Sequence, residues 1–489
     1  MKFKKIIFRA DGGGVIGYGH VHRLLSLAQM LHKNFNCTFV SHETPDFLQE
    51  ELQQVSIPLV KTKSIIYKLP DEKKMGEEVA FDMQDILTGN EIVVLDGYWF
   101  GKKYQQSIKK MGCIVVYVDD LMEAENGADI IINHSLGISI SDYKMLAPAT
   151  CVYTGSNYSL INVPLEFLCQ QADQSIHKQL LIAMGGADPF NFTCKILREQ
   201  NEYINRFEKV IVMTGAAYTF SEELKTAATA FTNMEIMQAV PKLTMFATMQ
   251  QSTAAIISSS TMALEYAHIG GALGIVQTAD NQKNIYKGMI ENAVALPLKE
   301  LATATTATIS KIKINQKKIF DGHSGRRFIK LFEELQVQAS FSFVNAAKEH
   351  LETTYQWASD PSIRAYSFNQ SPIVFEEHQS WFLKKIEQPS CMYLLGKWEN
   401  NIVGSLRFDI TNNRALISYL VAPLYQGKGM GRIILAKGLE YLATNKENIT
   451  VVNGYVMTEN IASIKVFERL GFSCTTENHQ LFFSKNMYR

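Results

Sequence analysis

Residues 5–31 read KIIFRADGGGVIGYGHVHRLLSLAQML: a short apolar run, a glycine-rich turn, then Val21, Leu24, Leu25, Ala28 and Leu31 at helical spacing. A compact apolar run followed by a 3.6-residue period predicts a buried strand feeding a helix. The glycines let backbone approach a ligand closely, and the start of the helix aims free N–H groups at anions. His20 then stands at the lip of the crevice where strands of such a fold end, with an imidazole suited to take a proton from water or a hydroxyl. Arg23 lies on the same end of the helix as a phosphate or sugar contact, and Arg9, Asp11 and Gly19 complete a candidate substrate-binding lip. The loop lacks the Walker Lys-Ser/Thr pattern, so a structural turn and a helix cap remain alternatives for the loop and its histidine.

The same texture continues outward. Apolar runs at Cys37–Val40, Ile92–Leu95 and Ile114–Asp119 alternate with helical patterns, and a second block repeats the style at Leu180–Met184, Lys209–Met213, Ala255–Ile257 and Ala272–Val276. Alternating strands and helices predict two doubly wound α/β domains around parallel sheets, 1–165 and 166–337, with the linker in 155–173. After Ser340 a helical segment and three successive strands, Met392–Leu395, Ile402–Asp409 and Ala415–Val421, predict an α/β domain of another design over 338–489.

Bulk properties fit this plan. The chain has 489 residues, enough for about three domains. Its 48 Lys and Arg balance 48 Asp and Glu, which disfavours a broad nucleic-acid surface. The seven cysteines contain no C-x-x-C pair, which argues against a disulfide framework and a thiolate metal site. No apolar stretch approaches a membrane span, so a cytoplasmic protein without membrane or metal is expected.

The second block carries complementary strand ends. Gly185 and Gly186 lead to Asp188 and a possible N-cap, Ser260 and Thr261 open a helix that contains Glu265, and Asp280-Asn281-Gln282 follows a later strand. Together they suit a nucleotide pocket, with N–H and hydroxyl donors for a diphosphate and Glu265 accepting from ribose hydroxyls. Taken singly, the hydroxyls read as helix caps and Glu265 as a surface residue.

In the third block, Gln426-Gly427-Lys-Gly429-Met-Gly431 opens a helix after a strand ending at Leu420 and Val421, placing successive N–H groups where a pyrophosphate would sit. About thirty residues on comes Asn460-x-x-Ser463-x-x-x-Phe467-x-x-x-Gly471-Phe472.

These motifs carry two resemblances. G-x-G-H-x-x-R over Gly17–Arg23, G-G-x-D-P-x-N-x-T over Gly185–Thr193, Thr261 with Glu265, and Asp280-Asn281-Gln282 resemble the UDP-2,4-diacetamido-2,4,6-trideoxy-β-L-altropyranose hydrolases of pseudaminic acid biosynthesis. The likeness covers about residues 1–335, including Asp119-Asp120, Asn133 and the run Asp321–Arg327. It implies a GT-B-like pair of Rossmann-like domains, with UDP held mainly by the second. It also implies displacement of UDP by water with inversion, His20 as base, Glu265 as ribose ligand, Asn281 and Gln282 in the pocket, and no metal. Family members usually have small hydroxyl residues in place of Gly12–Gly14, and a glycine in place of Ser258–Ser260.

The third block resembles the GNAT acetyltransferases. This implies acetyl-CoA as co-substrate, held by Leu420, Val421, Gln426, Gly427, Gly429, Gly431, Asn460, Ser463 and Phe467. Many members have a Tyr at the position of Phe467 as the acid for the leaving thiolate; Phe467 has no proton to give, which leaves another group or water. Asp360-x-x-x-Arg364, Ser367 and His378-x-x-Trp381 further resemble the members that acetylate the 4-amino group of UDP-linked sugars, with His378 either a base or a structural residue.

The two resemblances are chemically consecutive. They imply N-4 acetylation of a UDP-4-amino-4,6-dideoxy-N-acetyl-L-altrosamine, then hydrolysis of the product to UDP and the free diacetamido sugar. Rival readings are a UDP-sugar glycosyltransferase, a hydrolase for a legionaminic-type isomer, and a UDP-sugar-binding module with an inactive GNAT domain.

Overall fold

A computed structural model describes residues 5–13, 17–62, 79–122, 127–143, 150–164, 167, 178–446, 448–477 and 480–487. The chain divides into two compact units, Met1–Lys330 and Leu331–Arg489. Of the linker expected at 155–173, residues 165, 166 and 168–173 lie outside the described residues, and the boundary drawn at 337/338 lies inside the helix Ser324–Ser340.

Among the described residues the first unit holds two sheets. The first comprises β1 (Ile6–Ala10), β2 (Cys37–Ser41), β3 (Leu59–Lys61), β4 (Ile92–Asp96), β5 (Ile114–Val118), β6 (Ile130–Asn133) and β7 (Cys151–Thr154). All pairings are parallel, in the order β3-β2-β1-β4-β5-β6-β7. Every residue of β1, β2 and β4 is buried, as expected of strands covered on both faces, and that is why their sequences are mostly apolar, with Arg9 and Asp96 at or near the carboxyl ends of β1 and β4. The second sheet comprises β8 (Gln179–Ala183), β9 (Lys209–Thr214), β10 (Met234–Gln238), β11 (Ala254–Ser258), β12 (Ala272–Val276) and β13 (Leu296–Pro297), in the order β10-β9-β8-β11-β12-β13 and again parallel.

In both sheets the winding direction reverses beside the first strand: β1 lies next to β4, and β8 next to β11. The carboxyl ends of such strand pairs leave a crevice with no crossover above it. The loops after β1 and β4, and after β8 and β11, therefore meet there.

In the second unit, β14 (Phe341–Asn345), β15 (Cys391–Trp398), β16 (Asn401–Thr411), β17 (Arg414–Val421), β18 (Val451–Val456), β19 (Ser473–Glu477) and β20 (Gln480–Asn486) form a mixed sheet. Its order is β14-β15-β16-β17-β18-β20-β19. The expected meander is present as antiparallel β15-β16-β17. The expected leading helical segment is preceded by strand β14, because Phe341 and Phe343 cover the sheet edge with alternating side chains. One pairing is parallel, β17 with β18, and it runs only from Arg414↔Val451 to Leu416↔Asn453. Beyond that point the two strands separate and open a wedge in the sheet.

Candidate functional site

The loop after β1 tightens at Gly13 and Gly17, which exchange backbone hydrogen bonds of 3.2 and 2.8 Å. Gly12 has to lack a side chain, because a Cβ there would lie 2.6 Å from Tyr18. Gly14 is outside the described residues. Helix α1 (Gly19–Leu31) starts directly after this loop, with His20 in its first turn.

His20 is buried, and its Nδ1 lies 2.6 Å from Oδ1 of Asp96, the last residue of β4. A carboxylate only accepts, so Nδ1 donates to it, and Arg23 Nη2 also lies 2.8 Å from the same nitrogen. Nε2 takes no hydrogen bond from the described residues. Arg23, one turn along α1, binds the same carboxylate through Nε at 2.8 Å and Nη2 at 2.7 Å, and reaches Asp120 through Nη1 at 2.6 Å. Burial pushes the Asp120 carboxyl up, but the charge and hydrogen bond of Arg23, together with His20 and His134, outweigh it and hold the group below the usual range. The donors of Arg23 are thus engaged by two carboxylates, so its place is behind His20.

Tyr98 packs its ring edge against His20, with centroids 4.7 Å apart, and donates its hydroxyl to Asp120 at 3.2 Å. Across the crevice Asn281 donates Nδ2 to the Tyr98 hydroxyl at 3.2 Å, and Asn284 donates to the Asp120 carbonyl at 3.3 Å. The second sheet's Asp280-Asn281-Gln282 segment is therefore brought to the histidine. Gln282 turns inward, accepting from Thr278 N–H at 2.8 Å and from Ser259 Oγ at 3.3 Å, and so fixes the loop that presents Asn281.

Other expected lip residues take supporting positions. Arg9 is completely buried, pairs with Asp11 at 2.6 Å and Asp82 at 2.9 Å, and stacks on Phe100. It has no exposed atom to offer a ligand. Asp11 accepts from His42 N–H at 2.6 Å, which braces the loop from below. Asp188, also buried, caps helix α2 (Phe192–Glu199) by accepting from the N–H groups of Phe192 and Thr193, both at 2.8 Å.

Gly185, with φ of 96°, brings the β8 loop within 3.7 Å of Ser258 Oγ, measured from an added Cβ. Ser260 precedes helix α3 (Thr261–Ile269) without a side-chain cap to it, so its hydroxyl is not spent on the helix. Glu265 on α3 is buried, and burial raises its carboxyl while Lys242 opposes the rise. A carboxylate kept dry and near one cation is a strong acceptor for a ligand hydroxyl.

In the second unit, helix α4 (Met430–Asn445) begins after Gly427 and Gly429, both left-handed with φ of 75°. Its first turn has no acidic residue of its own, and the Glu334 carboxylate lies beside Gly429, paired with Arg432 at 2.7 Å. Asn460 caps helix α5 (Ile461–Arg469) by accepting from Ser463 N–H at 3.1 Å. Leu420 and Val421 lie on the stretch of β17 that has left β18. Phe467 is sealed in the core, 4.9 Å from both the Phe472 and Phe483 ring centroids. His378 is buried between Tyr355, Trp381 and Phe382, with Nε2 3.2 Å from Thr354 Oγ1, and burial holds its imidazole below the ordinary value. That setting matches the structural alternative for His378.

Three participants were not singled out in the sequence. Asp96 was marked there only by being the first polar residue after an apolar strand run. Tyr98 had no sequence signal, and neither did Tyr419, whose hydroxyl lies 2.7 Å from Ser463 Oγ. Among the described residues no group of His, Cys, Asp or Glu is arranged to hold a metal ion, and no helix is long and apolar enough to cross a membrane.

Comparison with known proteins divides the chain in the same way. Residues 351–472 match the model of the acetyltransferase (GNAT) family. An uncharacterized protein of Methanocaldococcus jannaschii is 23% identical over 97% of this chain and 98% of its own length. The UDP-2,4-diacetamido-2,4,6-trideoxy-beta-L-altropyranose hydrolase of Campylobacter jejuni is 26% identical over 53% of this chain and 87% of its own. The spore coat polysaccharide biosynthesis protein SpsG of Bacillus subtilis is 24% identical over 59% of this chain and 82% of its own. The chain thus carries a C-terminal GNAT acetyltransferase domain behind an N-terminal α/β region similar to the altropyranose hydrolase and to SpsG.

Proposed function

We propose that the chain is a bifunctional enzyme: its C-terminal unit transfers acetyl from acetyl-CoA to the 4-amino group of a UDP-4-amino-4,6-dideoxy sugar, and its N-terminal unit hydrolyses the product to UDP and the free diacetamido sugar. The observation that carries the reading is the His20–Asp96 pair, 2.6 Å apart at the switch point of the first sheet. Asp96 fixes the tautomer, Nε2 of His20 takes a proton from water, and the water oxygen attacks the anomeric carbon as the C–O bond to UDP breaks. Arg23 holds both carboxylates behind the histidine. The α3 N-terminus with Ser260 and Thr261 receives the departing diphosphate, and Glu265 accepts from the ribose. Gly185 and Gly186 keep the diphosphate path free of side chains, and Asn281 reaches the sugar from the second sheet. The likeness to the Campylobacter hydrolase supports an altro-configured sugar, and the reading takes the two Rossmann-like sheets as a GT-B-type pair.

In the second unit, acetyl-CoA lies in the wedge between β17 and β18, with its diphosphate on Gln426–Gly431 and its pantetheine along Leu420 and Val421. The test is mass spectrometry of the protein with acetyl-CoA and UDP-4-amino-4,6-dideoxy-N-acetyl-β-L-altrosamine. Wild type should give CoA, UDP and free sugar, and His20→Ala should stop at the acetylated UDP-sugar. Release of UDP by His20→Ala at the wild-type rate would overturn the base assignment.

A further inference from the structure

Acetyl transfer releases a thiolate, and Phe467 cannot protonate it. Phe467 is also unavailable by position, packed against Phe472 and Phe483 under the sheet. The wedge offers another hydroxyl. β17 and β18 stop pairing after Leu416 and Asn453, so residues 417–421 of β17 present an unpaired edge on the β18 side. Tyr419 is the phenol on that free stretch.

Its side chain lies where the two helix starts converge. A Cβ added to Gly431, in the first turn of α4, would be 3.3 Å from the Tyr419 ring and 3.6 Å from its hydroxyl. On the other side the hydroxyl is 2.7 Å from Ser463 Oγ in the first turn of α5. The Tyr419 ring also packs beside Phe467, with centroids 6.2 Å apart. A cofactor anchored by its diphosphate at the glycine loop and running along the free edge of β17 therefore passes this phenol.

Resting on the acetyl-transfer reading above, we propose that Tyr419 is the proton donor to the CoA thiolate, taking the role that Phe467 cannot fill. The acceptor amine adds its lone pair to the acetyl carbonyl carbon and a C–N bond forms. Collapse of the tetrahedral intermediate breaks the C–S bond, sulfur keeps the electron pair, and the Tyr419 O–H proton passes to it. The phenolate regains a proton along the Tyr419–Ser463 hydrogen bond, and the ammonium proton of the new amide is lost to solvent, so charge and protons balance. Burial raises the Tyr419 hydroxyl above its ordinary value, so the group is protonated when the thiolate forms.

The test uses the full chain with CoA itself as the probe. The thiol of bound CoA is titrated by its thiolate absorbance in wild type, Tyr419→Phe and the double variant Tyr419→Phe/Phe467→Tyr, with CoA affinity measured in parallel. A hydrogen bond to a charged sulfur lowers the thiol pKa, so Tyr419→Phe should raise it by about one unit while CoA affinity stays within a few-fold. The double variant should recover part of the shift, which a packing role for Tyr419 would not produce. With the amino-sugar acceptor, kcat of Tyr419→Phe should fall about 100-fold at an unchanged KM for acetyl-CoA. If CoA binds and its thiol titrates identically in wild type and Tyr419→Phe, the donor assignment is wrong and the acetyl-CoA reading stands. If neither protein binds CoA, both are wrong.

Discussion

Replacing Asp96 by Asn tests the hydrolytic site at its hinge. The carboxylate is completely buried and receives three donors: His20 Nδ1 at 2.6 Å, Arg23 Nη2 at 2.7 Å and Arg23 Nε at 2.8 Å. Asn has the same shape but one acceptor oxygen and an NH2 in place of the second, so one of these donors meets another N–H. Arg23 is left buried with Asp120 as its remaining counter-charge. Breaking one side of a buried ion pair costs about 3–5 kcal/mol. Over the 330 residues of the first unit, at an unfolding entropy of about 2.1 cal/mol/K per residue, that is a fall in Tm of roughly 4–7 °C.

The catalytic effect is larger. With a single amide oxygen shared among His20 Nδ1, Arg23 Nη2 and Arg23 Nε, the imidazole loses the acceptor-only carboxylate that fixes its tautomer. The equivalent Asp-to-Asn change in a serine protease triad lowers kcat by about 10⁴ through the wrong tautomer. For Asp96→Asn, kcat for UDP release from the diacetamido UDP-sugar should fall about 10³- to 10⁴-fold with KM within a few-fold, while acetyl transfer by the same protein is unchanged. UDP release is followed by a coupled assay, and folding by a thermal melt. A folded Asp96→Asn protein that hydrolyses within tenfold of wild type would refute the reasoning.

Burial holds the His134 imidazole at about 4 instead of 6.5, so between those values the unfolded chain binds a proton that the folded chain does not. Stability therefore rises with pH across that window, and His134 should account for about 2 kcal/mol of the loss between pH 7 and pH 5, read by urea midpoints as the part of the slope that His134→Asn removes, with His22 and His268 contributing in the same direction. Gly288→Ala puts a Cβ 2.3 Å from the Gly137 backbone nitrogen and should cost about 1–3 kcal/mol in a melt. Gly186→Ala, where nothing lies within 4 Å, should change stability by no more than about 0.5 kcal/mol, and an equal loss for the two would contradict the packing argument. Gly429 has φ of 75° and an added Cβ 2.8 Å from the Glu334 carboxyl carbon, so Gly429→Ala should weaken acetyl-CoA binding at least about tenfold by calorimetry.

The sequence by itself determined the class of fold and the place of the sites along the chain. Runs such as Ile92–Leu95 and Ala272–Val276 carry no polar side chain because parallel sheets bury both faces, so they stand out without any partner in view. Glycine loops announce themselves because left-handed backbone and close approach leave few other choices, as at Gly185, Gly427 and Gly429. Edge strands such as Met234–Gln238, half exposed and mixed in polarity, gave no comparable signal.

What only the tertiary structure decided is who stands behind each reacting group. His20 and Asp96 are 76 residues apart, and they meet because β1 pairs with β4 rather than with the strand next in order on that side. Tyr419 and Ser463, 44 residues apart, meet because β17 leaves β18 after three pairs and its side chain enters the space between two helix starts. A carboxylate at a strand end or a phenol in a strand has the same local sequence whether it faces solvent or a histidine. The difference comes from strand order and splay, which are set by packing over the whole sheet and leave no mark on neighbouring residues.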